Sequence, residues 1–113
     1  MVNIIIFIVG LISKYQAMAL DPLKAREYLS IYKGWRTYSK SIVKTYVFKG
    51  FREAIRFVSK VSELAEEMDH HPDICIYYNK VRIRCSTRRV GGISIQDIEL
   101  AGKIESIYRD FME

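Results

Sequence analysis

The 113-residue chain contains few of the residues that mark secreted or metal-bound scaffolds, with only two cysteines and two histidines. Two cysteines are too few for a disulfide framework, and the hairpin predicted below places them on opposite faces, so we expect reduced thiols and a cytoplasmic protein. Two histidines and one acid without a thiolate at ligand spacing are a weak zinc signal, and we expect neither a metal nor a cofactor. No glycine-rich phosphate loop follows a strand, and no nucleophile-elbow serine is present, which leaves nucleotide binding and acyl transfer without support.

The sequence also lacks an apolar run long enough to cross a membrane. Residues 4–12 are almost wholly apolar, but they are far fewer than the roughly 20 that a transmembrane helix needs. Ala17-Met18-Ala19 fits the small-x-small pattern of signal-peptide cleavage, although the usual basic residue before the apolar run is missing. We therefore expect residues 1–18 to be an extension, with Met18 an alternative start, and residues 19–113 to form one domain.

The composition is typical of one compact domain, with 50% hydrophobic and 27% charged residues. A core of this size gains stability from oligomerisation. The formal net charge of +5 suits an anionic ligand. Arg52, Arg56 and Lys60 recur every four residues, but such a stripe is usually the solvated face of a helix, so we expect no nucleic acid partner.

Changes in hydrophobic period along the chain predict three helices and four strands. A first helix is predicted over 21–34, since aspartate is a common N-cap and proline is favoured at the first helical position. Aromatic and β-branched residues predict two antiparallel strands within 35–48. Apolar residues at three- and four-residue steps predict a long helix over 51–69, which ends before Pro72.

Residues 73–87 alternate in polarity and predict a second hairpin, with Asn79-Lys80 as the best candidate for its turn. That turn places Cys75 and Cys85 on opposite faces. Ser94, three residues before Asp97, predicts a capped last helix. The resulting order of elements predicts an α+β domain, in which helices cover the apolar face of one antiparallel sheet.

The adjacent histidines His70 and His71 lie at the exit of the long helix. Histidine both gives and takes protons near neutral pH, so the pair is an acid/base candidate. They could also be surface imidazoles that the helix C-terminus favours. Glu66 lies one helical turn before His70 and can approach it or a shared ligand. Extending the hairpin register brings Arg88 opposite His71.

These residues resemble the pterin-4a-carbinolamine dehydratase family. The resemblance is carried by EEMDHHPD at 66–73, by Tyr78, and by GGISIQD at 91–97 followed by Leu100-Ala101. It extends from about Leu20 to the C-terminus. It implies a four-stranded antiparallel sheet with three helices packed on one face, assembled into homodimers or homotetramers, with a small pterin as substrate.

The resemblance also implies a reaction, the dehydration of 4a-hydroxytetrahydropterin, such as 4a-hydroxytetrahydrobiopterin, to quinonoid dihydropterin without metal or cofactor. It implies that His70 is an acid/base group at the 4a-hydroxyl, while His71 holds the pterin and assists. Glu66 would bind the pterin ring or orient His70. Asp97 would complete the motif, although a carboxylate in the first turn of a helix is stabilising whatever the function.

The resemblance further assigns Pro72 and Tyr78 to substrate binding. The sequence departs from the family at Arg88. Thr87 is followed there by arginine, where the family usually has a third catalytic histidine. Arginine stays protonated and cannot act as a general base, but it can stabilise an oxyanion or hold an anionic substrate group.

Two hypotheses therefore remain open. The first is a dehydratase with an altered cluster. The second is a non-catalytic relative that serves as an oligomeric binding or assembly module. The joint presence of the acid, the His-His-Pro motif and Asp97 favours the first, because a scaffold has little need for that set.

Overall fold

The computed structural model describes residues 18–112, so the predictions for residues 1–17 lie outside the described residues. Its elements are, in chain order, α1 (Pro22–Leu29), β1 (Arg36–Tyr38), β2 (Ser41–Val47), α2 (Phe51–Met68), β3 (Asp73–Tyr77), β4 (Lys80–Cys85), a 3-10 turn (Arg88–Val90) and α3 (Ile95–Met112). Three helices and one four-stranded antiparallel sheet confirm the predicted α+β class. Between residues 18 and 112, no helix has the length and apolarity that a membrane crossing requires.

The sheet has the order β1-β2-β4-β3, and one of its faces forms the floor of the core. Alternate residues of the two central strands, including Ile42, Tyr46 and Ile83, are almost completely buried on that face. They pack in one cluster with apolar residues from all three helices. The inward-facing residues of the strands therefore pack against the apolar faces of the helices on one side of the sheet.

Helix α1 is shorter than predicted, because it ends at Leu29 and not near Gly34. Its beginning agrees with the sequence signals, since the Asp21 Oδ1 accepts a hydrogen bond from the backbone N–H of Leu23 at 2.8 Å. Turns then lead to Gly34, whose φ of +90° favours glycine. The first strand begins two residues later, at Arg36.

Helix α2 ends in a turn that sends the two histidines in different directions. Asp69 adopts the left-handed conformation, with φ 49° and ψ 44°. The backbone N–H of His70 then donates to the Ala65 carbonyl at 3.0 Å, as in a Schellman motif, although glycine is the usual residue at this position. As a result His70 points into the protein and is buried, whereas His71 is exposed.

The β3–β4 hairpin differs from the predicted register by two residues. Tyr77 pairs with Lys80, so the turn residues are Tyr78 and Asn79 and not Asn79-Lys80. Asn79 is anchored to the end of β2: its carbonyl accepts from the Phe48 N–H at 2.8 Å, and its Nδ2 donates to the Phe48 carbonyl at 3.0 Å. These tertiary contacts decide the position of the turn, which a weak local signal left undetermined.

The ladder between β3 and β4 ends at Asp73 and Arg84. The prediction that strand pairing brings Arg88 opposite His71 is therefore wrong, because β4 stops at Cys85 and Arg88 lies in the following 3-10 turn. A shift of two residues does not change which face a side chain occupies, because the strand period is two. Accordingly Cys85 is buried while Cys75 is exposed, and both thiols are free.

We predict that one of the two thiols reacts rapidly with a thiol reagent such as DTNB in the native protein. Cys75 is exposed, whereas burial raises the pKa of the Cys85 thiol and so suppresses its reactive thiolate. Denaturation should expose the second thiol. The Cys75→Ser variant should lose the rapid phase and Cys85→Ser should keep it. Rapid reaction of both thiols would mean that Cys85 is not in the core.

Candidate functional site

A cavity of about 650 Å³ opens between the end of α2, the start of β3 and the loop that joins β4 to α3. Four of the predicted site residues line it: His70, His71, Pro72 and Arg88. It is also lined by residues that were not predicted to belong to the site, including Arg84, Ser86, Thr87, Arg89 and Gln96. Its volume falls within the range of roughly 300 to 1,000 Å³ that is common for small-molecule sites.

His70, which lines the cavity, forms a buried pair with Asp97. The His70 Nε2 lies 2.6 Å from the Asp97 Oδ1, and their side chains are 10% and 0% exposed. A carboxylate accepts hydrogen bonds, so the pairing assigns the proton to Nε2 in the neutral imidazole. The other ring nitrogen, Nδ1, is then left as the acceptor.

The Asp97 carboxylate is held by two further donors on its second oxygen. Oδ2 accepts from the backbone N–H of Ser94 at 2.9 Å and from the Thr87 Oγ1 at 2.9 Å. Ser94 in turn accepts a hydrogen bond on its Oγ from the backbone N–H of Gln96 at 3.2 Å. The predicted capping arrangement at the start of α3 is present, and it fixes the carboxylate that contacts His70.

Thr87 is a site residue that sequence reasoning did not assign. Its side chain is buried, and its Oγ1 lies 2.7 Å from the Ser94 Oγ and 3.4 Å from the His70 Nε2, besides donating to Asp97. It therefore joins the loop after β4 to the cap of α3. The available signal was its position immediately before Arg88, but a threonine at a strand end is not informative by itself.

Glu66 pairs with His71 and not with His70. Of its two expected roles, the orientation of His70 is therefore not seen, and binding of the pterin ring stays a prediction. The Glu66 Oε2 lies 2.6 Å from the His71 Nε2, and the side chains are 77% and 57% exposed. The reason is the left-handed turn at Asp69, which moves His70 away from the exposed face of α2 and leaves His71 beside it. Two histidine–carboxylate pairs thus flank one cavity, one of them buried and the other exposed.

Arg88 is exposed on the 3-10 turn at the rim of the cavity. Among residues 18–112, its guanidinium makes no hydrogen bond or ion pair. Arg84, in contrast, donates from Nη2 to the Asp73 Oδ2 at 2.8 Å. Arg88 therefore places at the cavity a cation that no residue between 18 and 112 neutralises and that can bind a ligand.

Tyr78 does not line the cavity. It lies in the β3–β4 turn with 70% of its surface exposed, whereas the cavity is at the other end of β3, near Asp73. A five-residue strand separates the two ends by about 16 Å. The geometry within one chain therefore gives Tyr78 no contact with a ligand in this cavity.

The described part of the chain holds no group of three or more His, Cys, Asp or Glu side chains positioned to bind a metal ion. The polar chemistry of the cavity consists of two imidazoles, their carboxylate partners and the arginines. Such a set transfers protons and stabilises negative charge. Fold and cavity together define a small α+β protein with a candidate acid/base site.

Comparison with known proteins gives the family. The model described as pterin 4 alpha carbinolamine dehydratase matches residues 18–107, and the chain belongs to this family. A relative from Sulfurisphaera tokodaii is 48% identical over 88 residues, which are 78% of this chain and 95% of the relative. A second, from Thermomicrobium roseum, is 47% identical over 88 residues, with the same coverage. Both carry the name "Putative pterin-4-alpha-carbinolamine dehydratase".

Two solved structures share the fold. A transcriptional coactivator/pterin dehydratase from Brucella melitensis matches with a TM-score of 0.74 at 30% identity, covering 78% of this chain and 96% of the other. A pterin dehydratase-like protein, described as a RuBisCO assembly factor in the α-carboxysome, matches with a TM-score of 0.58. Its identity is 20%, over 67% of this chain and 90% of the other, and it supports the fold alone.

We predict that Asp97→Ala lowers the free energy of unfolding by about 3 kcal/mol, because it leaves buried donors of the cap without their acceptor. Urea unfolding followed by circular dichroism measures the change. Glu66→Ala is the matched control, since loss of an exposed pair should cost less than about 1 kcal/mol. Equal stability of the two variants would contradict a structural role for the Asp97 carboxylate.

Proposed function

We propose that the protein is a hydro-lyase that dehydrates 4a-hydroxytetrahydropterin to quinonoid dihydropterin. The observation that carries the proposal is the pair of histidine–carboxylate contacts, His70–Asp97 and His71–Glu66, beside one cavity. Membership of the family agrees with it. The cavity volume of about 650 Å³ leaves space for a flat bicyclic ring and its substituent.

The reaction requires one proton to be delivered and one to be removed. The bond between carbon 4a and its hydroxyl oxygen breaks, and the departing oxygen takes a proton to leave as water. A ring nitrogen loses a proton as the new carbon–nitrogen double bond forms. Groups that give and take protons near neutral pH therefore supply the whole of the chemistry.

His70 is the group that we assign to the hydroxyl. Its Nε2 is committed to Asp97 at 2.6 Å, which leaves Nδ1 for the substrate. The carboxylate fixes the tautomer and stabilises the imidazolium that forms when Nδ1 takes a proton. In this proposal Nδ1 takes its proton from water before the step. The imidazolium then delivers that proton to the departing hydroxyl, and the proton lost from the pterin ring nitrogen passes to His71.

His71 is the second acid/base group in this proposal. Its contact with Glu66 keeps the ring oriented, and its exposure lets it exchange protons with water. Pro72 limits the backbone between the histidines and β3, because the proline ring fixes φ. Arg88 does not transfer protons, but its fixed charge stabilises the negative charge that develops on the substrate.

We predict that His70→Ala lowers the catalysed rate about 10²- to 10⁴-fold, the usual contribution of a general acid/base group. The measurement is formation of quinonoid product from freshly generated 4a-hydroxytetrahydropterin, after subtraction of the uncatalysed rate. His71→Ala should lose less, because water reaches its exposed position. A His70→Ala variant that is folded and fully active would refute the assignment, and no acceleration by the parent protein would refute the dehydratase.

We predict that Arg88→His raises the rate, because a third acid/base group at the rim of the same cavity contributes more than the fixed charge that is lost. Arg52→His is the matched control: it removes the same charge from an exposed position on α2 that does not line the cavity, and should produce no rise. The same assay compares both variants with the parent protein. A rise in both, or in neither, would mean that position 88 has no special relation to the reaction.

The proposal includes a cytoplasmic homodimer or homotetramer. Large apolar side chains that are exposed in the single chain support association, among them Phe51 at 52% and Val47 at 47% exposure. The alternative is a non-catalytic relative that acts as an assembly module. The solved pterin dehydratase-like protein described as a RuBisCO assembly factor keeps that alternative open, and the activity assay separates the two.

A further inference from the structure

We propose that the substrate carries an anionic substituent, and that a basic groove beside the acid/base cavity binds it. The inference rests on the proposed function, which identifies the substrate as a pterin. It adds the chemical class of the substituent on the pterin ring. We define the basic groove as the space between the β1–β2 turn (Ser39, Lys40) and the loop after β4 (Ser86 to Gly92).

The basic groove adjoins the acid/base cavity. It encloses about 370 Å³, and four residues line both spaces: Arg84, Ser86, Thr87 and Arg88. A ring placed against His70 can therefore extend a substituent past Arg88 into the groove. Because the two spaces share these lining residues, the proposal places the ring in the cavity and its substituent in the groove.

Charge gives the groove its selectivity. Three cations line it, namely Lys40, Arg84 and Arg88, and no acidic side chain is among its lining residues. Arg84 is already paired with Asp73. The charged ends of Lys40 and Arg88 make no hydrogen bond or ion pair with any residue between 18 and 112. A concave site with two unpaired cations and no carboxylate attracts an anion.

Hydroxyl groups and a braced loop complete the site. The side chains of Ser39 and Ser86 also line the groove, and their hydroxyls form no hydrogen bond within the described residues. The loop is closed by a hydrogen bond from the Thr87 N–H to the Gly92 carbonyl at 2.8 Å. Gly91 adopts a φ of +68°, which favours glycine. These contacts hold in place the turn that carries Arg88.

The chemistry that fits is a phosphate monoester or a carboxylate on the pterin side chain. Each offers oxygens that accept charge-assisted hydrogen bonds from lysine and arginine and further bonds from serine hydroxyls. A neutral hydroxylated side chain uses the hydroxyls but leaves both cations without a partner. The groove therefore distinguishes charged from uncharged side chains.

The test uses stable oxidised pterins and follows their fluorescence in titrations with the purified full-length protein. The probes are 6-hydroxymethylpterin, its phosphate monoester and 6-carboxypterin. We expect an anionic probe to bind about tenfold more tightly than the alcohol at low salt, the effect of one or two charge-assisted hydrogen bonds. Comparison of the phosphate with the carboxylate identifies the anion. Equal affinity for all three probes would overturn the proposal.

The Lys40→Gln variant tests whether the preference for anionic probes arises in the groove. Lys40 lines the groove and does not line the acid/base cavity, so the variant should lose most of the preference for the anionic probe and keep the affinity for the alcohol. Lys103→Gln is the matched control, because it removes the same charge from an exposed position on α3 that lines neither space. A preference that survives in Lys40→Gln, or falls equally in both variants, would overturn the assignment to the groove.

The two proposals fail in different ways. If 4a-hydroxytetrahydropterin is not dehydrated faster than the uncatalysed rate, with either a neutral or an anionic side chain, the proposed function is wrong, whatever the titrations give. If it is dehydrated through His70 while the three oxidised probes bind equally, the enzyme stands and the anionic substituent is wrong. The binding titration needs no turnover, so the two results are independent.

Discussion

The Asp97 carboxylate is the group on which the site depends. Its two oxygens accept hydrogen bonds from the His70 ring, the Thr87 hydroxyl and the Ser94 backbone N–H. These donors come from the end of α2, the loop after β4 and the cap of α3. A fully buried carboxylate is stable only when such donors replace water. One charge therefore joins three segments and orients an imidazole toward a cavity.

The backbone conformation at Asp69 gives the two histidines different environments. Its left-handed turn ends α2, directs His70 to Asp97 and leaves His71 beside Glu66. Two identical side chains, adjacent in sequence, thus become one buried imidazole and one exposed imidazole. For the same reason the buried Asp97 carboxylate both orients its histidine and stabilises the fold. The exposed Glu66 carboxylate contributes little to folding.

Sequence reasoning predicted the order of the elements, the α+β class, the cap formed by Ser94 and Asp97, and the opposite faces of the two cysteines. These features follow from local signals: hydrophobic period, capping residues and the alternation of a strand. The hairpin register was wrong by two residues because contacts of Asn79 with Phe48 decide the turn. Glu66 contacts His71 and not His70 because helix spacing does not indicate where the next residue turns, while its expected contact with the pterin ring stays a prediction.

The sequence by itself determined which chemical groups the protein has and which face of each element is apolar, because side-chain chemistry and periodicity are local properties. It also carried the family resemblance, including the departure at Arg88. The tertiary structure alone decided that His70 meets Asp97, that Tyr78 lies away from the cavity, and that Lys40 and Arg88 line one groove. The physical reason is that these relations join residues distant in the chain, whose meeting depends on how the sheet and helices pack.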